Sequence, residues 1–555
     1  MGETLSRIER RSRKSIFHAL LAASHRKGAG AVALIDGDGR ALTYTEIIRA
    51  SFALSGPLAR ATRKGEKVGI MMPTGAGAVI ALMAAFAQGR TPAMFNFTAG
   101  ARNLKAAARA AEVKKVVTAR KFIEIAKLEA LVEEMAGAVE FLYLEDMKEG
   151  LAPIDKARAV LGPLLPRLFS ASPDPDSLGI ILFTSGTEGD PKGVALSHAN
   201  ILSNIYQIAE HVKILPTDVF FNPLPTFHCY GLTAGTLWPI LNGYKVVLHP
   251  SPLQTKIIPQ RIFETGSTVL FATDTFLQQY MRAAGDGQMS SLRIAVCGAE
   301  RVKDETRQAA ERRFGFEVLE GYGVTEGSPV LAANQPGDIR AGTVGRLLPG
   351  IEARLEDVEG LSGGKRLFVR GPNIMKGYIA PDAPGVVAPP ADGWHDTGDI
   401  VAFDADGYMA IRGRMKRFAK IGGEMVSLAV VENCATAVWP DNMHAAAILP
   451  DDKRGEQIVL VTDKAAPDRT QLLGWAQNHG VPEIAVPKKI VSVAEVPVLG
   501  TGKLDYVAIA RLAADGVGLT AEEKRAREVR LAEIDANISA RRGDDLPPPL
   551  QRAAE

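Results

Sequence analysis

Cysteine is scarce, with three in 555 residues, Cys229, Cys297 and Cys434, and none at metal-ligand spacing from another. That excludes a disulfide-stapled scaffold and a cysteine-built zinc site, and it favours a reducing, cytoplasmic setting. Long apolar runs are also missing. The run over 79–87 falls far short of the roughly 20 residues that cross a bilayer. Neither sign of charge is in excess, since 65 basic side chains meet 63 acidic ones, so the bulk charge gives no reason to expect a nucleic-acid partner. What remains is an ordinary globular composition, 46% hydrophobic and 23% charged, in a chain long enough for one very large domain and a smaller one.

The first thirty residues place Arg7, Arg10, Arg11, Arg13, Lys14, Arg26 and Lys27 around the apolar patch 16–23. Charge returns too soon for a signal-peptide core. A solvated leader helix is the expectation, and a basic helix lying peripherally on the inner membrane is the other reading.

Beyond the leader, strand-like and helix-like segments alternate, which predicts an α/β fold. Strands are expected over 67–72, 178–183, 245–248, 268–271 and 293–296, with helices over 76–88 and after Ser197. The four prolines of 381–392 predict a loop without regular structure. From Gly393 the texture changes. A turn at 404–407 precedes the charged joint Gly413-Arg414-Met415-Lys416, where we place a boundary between a large domain, 1–412, and a small one, 413–555. A helical tail is expected from about residue 513, with Thr520 and Glu523 as a capping box.

The strongest local signal follows the apolar strand 180–183. There Thr184-Ser185-Gly186-Thr187-Glu188-Gly189-Asp190-Pro191-Lys192-Gly193 combines glycines and hydroxyls with one lysine. Such a loop lets backbone N–H groups approach phosphate oxygens, and Lys192 adds a point charge. It is not a Walker A loop, since no Gly-Lys-Ser/Thr closes it. Three more strings follow in order: Gly321-Tyr322-Gly323-Val324-Thr325-Glu326, then Gly393-Trp394-His395-Asp396-Thr397-Gly398-Asp399, then Gly500-Thr501-Gly502-Lys503. Each alone is an ordinary turn; their succession is not.

That succession resembles the adenylate-forming, AMP-binding superfamily of acyl-CoA synthetases, luciferases and peptide-synthetase adenylation domains, over about 36–506. The strings Pro92–Gly100, Tyr143–Asp146, Gly371–Met375 and Arg417–Ile421 are most similar to the acyl-acyl carrier protein synthetase half of bacterial bifunctional 2-acylglycerophosphoethanolamine acyltransferase. No histidine is followed by Asp at the His-x4-Asp spacing of the acyltransferase half.

The resemblance implies a large N-terminal domain of α/β subdomains and a small mobile α+β C-terminal domain. It implies ATP and Mg²⁺ as cofactors, a fatty acid as substrate, and acyl carrier protein or coenzyme A as the thiol partner. The loop Thr184, Ser185, Gly186, Thr187, Glu188, Gly189 and Lys192 would hold the β- and γ-phosphates. Tyr322, between Gly321 and Gly323, would stack on adenine opposite Gly298, Ala299 and Glu300. Thr325 would touch the α-phosphate and Glu326 would bind Mg²⁺. Asp399 and Arg414 would hold the ribose, Lys416 would be the hinge, and Lys503 would stabilise charge in adenylation. His228 is similar to the family histidine at the acyl end. Phe227, Tyr230, Phe271 and Phe276 are read either as an acyl tunnel or as plain core. Three positions depart from the common pattern: Glu188 for Thr or Ser, Arg417 for an acid, and Leu428 for proline.

Overall fold

Short runs rich in Val, Ile, Leu and Phe, each followed by a helical stretch, build parallel strands that helices cover on both faces. The computed structural model describes residues 2–184, 191–361, 363–421, 424–451, 454–498 and 504–518. Its contacts divide the chain into two compact units. The larger holds Met1–Leu355, Leu367–Thr397 and Ala402–Ile411; the smaller holds Glu356–Arg366, Gly398–Val401 and the chain from Arg412. The class is α/β, as expected from the alternation. The tail signals from Thr520 onward lie outside the described residues.

Among the described residues, two sheets lie wholly within the larger unit. One runs, in spatial order, Val387–Ala388, Gly377–Ile379, Lys192–Ser197, Leu178–Thr184, Thr91–Met94, Lys67–Ile70, Lys115–Thr118 and Glu140–Tyr143. The other runs Arg346–Leu347, Val330–Ala333, Glu317–Gly323, Ile294–Cys297, Val269–Ala272, Val219–Asn222, Lys245–Leu248, Val32–Ile35 and Ala41–Thr43. The expected strands are therefore present to within two residues. One correction concerns 381–392: Val387–Ala388 pairs antiparallel with Tyr378 and Ile379, so this loop does hold a short strand. The pairing sits at a sheet edge, where the following prolines have no ladder bond to donate.

The helix His198–His211 opens on a reciprocal cap between Ser197 and Asn200 and buries nearly its whole length. Its polar side chains are spent on loop backbone. Asn200 donates to the Pro372 carbonyl, Asn204 exchanges bonds with Val330, and His211 Nε2 meets the Ala333 carbonyl at 2.8 Å. These bonds fix the segment that carries Glu326.

The leader is solvated along one side, where Arg7, Arg10, Arg13, Arg26 and Lys27 stay exposed, but its other side is docked, which the sequence did not lead us to expect. Helices Gly2–Ser12 and Ile16–Lys27 bury Ile8, Ile16, Phe17, Ala19 and Leu20. The Arg11 guanidinium stands 3.9 Å over the Tyr206 ring and donates to Asn242, while Arg7 and Arg13 pair with Glu210 and Asp176. An amphipathic helix whose cations find partners on the protein gains more by docking than by staying in water.

In the smaller unit, strands Glu424–Ser427, Phe418–Ile421, Gly455–Thr462 and His444–Asp451 follow in order, with Lys489–Ser492 beside Gly455–Thr462. Strand alternation makes two cores. Ile458 and Leu460 face Val431 and Leu472 of the helices Leu428–Val438 and Arg469–Asn478. Val459 and Val461 face Ile509 and Ala513 of the helix Tyr506–Gly518. Among the described residues no helix is long and apolar enough to cross a membrane.

Candidate functional site

The glycine- and hydroxyl-rich loop joins two antiparallel strands, with Thr184 opposite Lys192 in the ladder. Ser185, Gly186, Thr187, Glu188 and Gly189 lie outside the described residues, as does Lys503. Lys192 is exposed at the start of its strand. Gly377–Ile379 adds to the other side of that strand, setting Tyr378 opposite Val194. The register brings the Tyr378 ring within 5.6 Å of the Lys192 ammonium, and the Tyr378 hydroxyl donates to Glu326 Oε1 at 2.5 Å. Two residues expected to serve a triphosphate and its metal are thus joined by a phenol. Tyr378 was missed in the sequence.

Glu326 lies in the short turn Thr325–Gly327, with Thr325 half-buried beside it. The turn is over-determined. The Met375 N–H donates to the Glu326 carbonyl, Asn373 donates to the Gly327 carbonyl, and Ser328 donates to the Asn373 carbonyl. Just upstream, a Cβ on Gly323 would stand 2.3 Å from the Pro329 carbonyl oxygen, so only glycine fits there.

The expected adenine walls also come together. Strands Ile294–Cys297 and Glu317–Gly323 are parallel neighbours, with Cys297 opposite Glu320. Gly298 therefore lies beside Gly321, and a Cβ on Gly298 would meet the Gly321 carbonyl at 3.7 Å and the Tyr230 ring at 3.3 Å. Ala299 turns the chain with a φ of 69°, and the Glu300 carboxylate accepts from the Thr275 N–H at 3.0 Å. Tyr322 is half-buried at the end of its strand.

His228 sits half-buried in the loop before a wide helical turn over Tyr230–Leu237. Asn222 orders this loop by donating to the Gly231 carbonyl and accepting from the Leu224 N–H. Thr74 clamps it from another loop, bonding both Leu224 and Thr226. Gly231 and Gly235 admit no side chain, since a Cβ would lie 2.3 Å from the Pro225 oxygen and 2.5 Å from Asn222. Phe227 packs edge-on against Phe97, and Tyr230 edge-on against the buried Phe271. Phe276 stacks on Tyr280 instead. Cys229, buried at this loop, has its thiol pushed up to about 12 by burial, and the negative charge of Glu326 acts in the same direction.

In the smaller unit, Asp399 is buried on the strand His395–Phe403 and accepts from Arg414 Nε at 3.0 Å, while more than half of the Arg414 side chain is exposed. Lys416 is exposed in the turn Met415–Arg417. The departure at Arg417 has a partner: its guanidinium pairs with Glu432 at 2.7 Å and lies 3.9 Å over the Tyr506 ring.

Among the described residues no three His, Cys, Asp or Glu side chains cluster to hold a metal. A single carboxylate, Glu326, fits an ion that keeps most of its waters and takes its remaining ligands from a nucleotide.

The profile of the AMP-binding enzyme family matches residues 21–379, well over half of the chain. The chain belongs to that family. Among curated proteins it is 30% identical to "Probable CoA ligase CCL9" of Humulus lupulus over 60% of this chain and 65% of that one. It is 29% identical to the mitochondrial "Medium-chain acyl-CoA ligase ACSF2" of Mus musculus, over 58% and 55%. The chain thus spans less than two thirds of the length of these two relatives. Among solved structures, the o-succinylbenzoate coenzyme A synthetase of Bacillus subtilis in complex with AMP superposes with a TM-score of 0.75 at 23% identity, covering 88% of this chain and 97% of that one. That likeness shows the fold, a large unit followed by a smaller one.

Proposed function

We propose that the chain is an ATP-dependent, AMP-forming acid–thiol ligase that activates a fatty acid as acyl-AMP and transfers the acyl group to a phosphopantetheine thiol. The observation that carries the reading is the junction of Lys192, Tyr378 and Glu326 at the start of the strand Lys192–Ser197, in a chain of the AMP-binding enzyme family.

A carboxylate is a poor electrophile because its two oxygens share the negative charge. Attack of one oxygen on the α-phosphorus of ATP forms the acyl–phosphate bond and releases pyrophosphate. The thiol sulfur then attacks the acyl carbon, and AMP leaves with the electron pair. Catalysis is positioning and electrostatics. Lys192 would hold the outer phosphates, Thr325 would bond the α-phosphate, and Tyr322 would stack on adenine across from Gly298 and Ala299. Glu326 would hold Mg²⁺, which when bound neutralises phosphate charge. Asp399 and Arg414 are assigned to the ribose and Lys503 to the charge developing in adenylation. The two half-reactions need different surroundings at one carbon, and the small domain from Gly413, with Lys416 as pivot, is proposed to supply the change.

Two acceptors share the thiol chemistry. The relatives' printed names support coenzyme A; the strings Pro92–Gly100 and Arg417–Ile421 support acyl carrier protein. A thioester assay by mass spectrometry, with ATP, Mg²⁺, medium- and long-chain fatty acids and either acceptor, decides. Fatty-acid-dependent AMP with either thioester supports the ligase, and the product ratio assigns the acceptor. ATP binding without fatty-acid-dependent AMP overturns it in favour of a silent nucleotide-binding protein.

A further inference from the structure

The segment 153–169, which joins the two halves of the larger unit's first sheet, carries a cluster of exposed aliphatic residues that the site above does not use. Helix Pro153–Leu161 turns at Gly162-Pro163 into the single turn Pro166–Phe169. Its inner side is well anchored. Asp155 is fully buried and takes both terminal nitrogens of Arg60, and a Cβ on Gly162 would stand 2.4 Å from the Phe52 ring. The outer side is the opposite. Ile154 and Val160 are more than half exposed, and Leu164 and Leu168 reach 74%.

These residues are contiguous. Ile154 and Leu161 are seven apart, hence on one helix face. The N–H groups of Leu164 and Leu165 both bond the Leu161 carbonyl, and the Leu168 N–H bonds the Leu165 carbonyl, so the apolar face continues through the turn. Isolated exposed leucines need no explanation, but a contiguous apolar patch on one short segment marks a contact surface.

The charge around the patch selects the partner. Within 153–169 the basic residues are Lys156, Arg158 and Arg167; the one acid, Asp155, is buried and paired. Lys156 and Arg167 are exposed. His18 of the leader bonds Ser170 at 3.3 Å, just past the segment, and burial, then the cations Arg167 and Lys14, lower its pKa. The nearest acids in sequence are Glu149 ahead of the segment and Asp174 and Asp176 after it, and Asp176 is already paired with Arg13. Protruding leucines rimmed by lysine and arginine suit a surface that is apolar within and anionic at its face. A folded protein partner would need a matching cavity for side chains standing this far out.

We propose that the segment 153–169 is a membrane-docking surface, on which Leu164, Leu165 and Leu168 enter the acyl region of an anionic bilayer while Lys156 and Arg167 meet the lipid phosphates. The proposal stands independently of the ligase reading and needs no transmembrane helix.

Vesicle co-sedimentation of the full chain tests it, with phosphatidylcholine vesicles against vesicles of phosphatidylcholine and phosphatidylglycerol. The chain is expected to bind the anionic vesicles, more weakly as salt rises. Leu164→Ser with Leu168→Ser should weaken binding by at least tenfold, and Lys156→Glu with Arg167→Glu by a similar factor. A second measurement places an environment-sensitive dye at Leu168→Cys, the native cysteines being buried; its emission should shift to the blue on adding anionic vesicles. No sedimentation with either vesicle, binding indifferent to the leucine pair, or an unshifted dye each overturns the proposal. So does light scattering that shows the leucine pair splitting a dimer while lipid binding stays as it was, which would make the patch a contact between two copies.

Discussion

The Tyr378 hydroxyl donates to Glu326 while the face of the same ring lies toward the Lys192 ammonium. On the proposed reading Glu326 would accept a metal and Lys192 would meet phosphate, two roles that a direct ion pair between them would oppose. The phenol's hydrogen bond holds the carboxylate, and its ring lies 5.6 Å from the ammonium. Tyr378→Phe is expected to lower kcat/KM for ATP by about tenfold, or about 1.4 kcal/mol. It should also raise the Mg²⁺ concentration needed for half-maximal nucleotide binding, read by calorimetry. An unchanged Mg²⁺ dependence would assign Tyr378 to packing alone.

Gly323, next to Tyr322, has no room for a Cβ. Gly323→Ala sets a methyl against the Pro329 carbonyl, and the backbone of the Glu326 turn must give way. Denaturant unfolding should show a loss of about 1–3 kcal/mol. A stability equal to the parent would mean that the turn is looser than its hydrogen bonds indicate.

How far the sequence could be read follows from these particulars. Strands such as Lys245–Leu248 were legible because a parallel strand buried on both faces is an unbroken apolar run. The family was legible because its glycine and hydroxyl strings lie close together in the chain and follow one another in a fixed order. Tyr378 was not, since it meets Glu326 across 52 residues through a ladder register that no local spacing reveals. The leader misled for a similar reason. Its cations stay largely at the surface, but Arg7, Arg11 and Arg13 also meet Glu210, Tyr206 and Asp176 from remote segments. The wide turn at Tyr230–Leu237 left one trace, the closely spaced Gly231 and Gly235, whose cause lies in Pro225 and Asn222.

His198 gives a pH prediction. Burial, and then the neighbouring His18, lower its pKa to about 4. Its Nδ1 accepts from the Ile16 N–H, a bond that needs the neutral ring. The unfolded chain, with an ordinary value near 6.5, binds the proton more readily. Stability therefore falls as pH drops from about 6.5 toward 4, by about 2 kcal/mol at pH 5 from this group. Melting curves of His198→Gln should show a shallower slope across that window than the parent. Parallel slopes would remove His198 from the account.

Arg417 and Glu432 offer a fourth test. The Glu432 carboxylate is largely buried and accepts from the Ala446 N–H as well as from Arg417. Burial raises its pKa, and Arg417 opposes that. Arg417→Ala removes the counter-charge and the cover over Tyr506, so the smaller unit should lose about 2–3 kcal/mol. Arg417→Lys keeps the charge but not the planar stacking, and should recover part of it. Proteolysis confined to that unit would report the loss directly.

The burial of all three cysteines has a chemical consequence. An acyl adenylate reacts with any thiolate it meets, and a ligase with an ionised cysteine beside its acyl pocket would acylate itself. Cys229 is next to His228, yet with its thiol near 12 only on the order of one in 10⁵ is ionised at neutral pH. Cys297 and Cys434 are likewise held up by burial. On the proposed ligase reading, the chain would hold a thiol-seeking intermediate without consuming it, and the sulfur that collects the acyl group would have to arrive from outside.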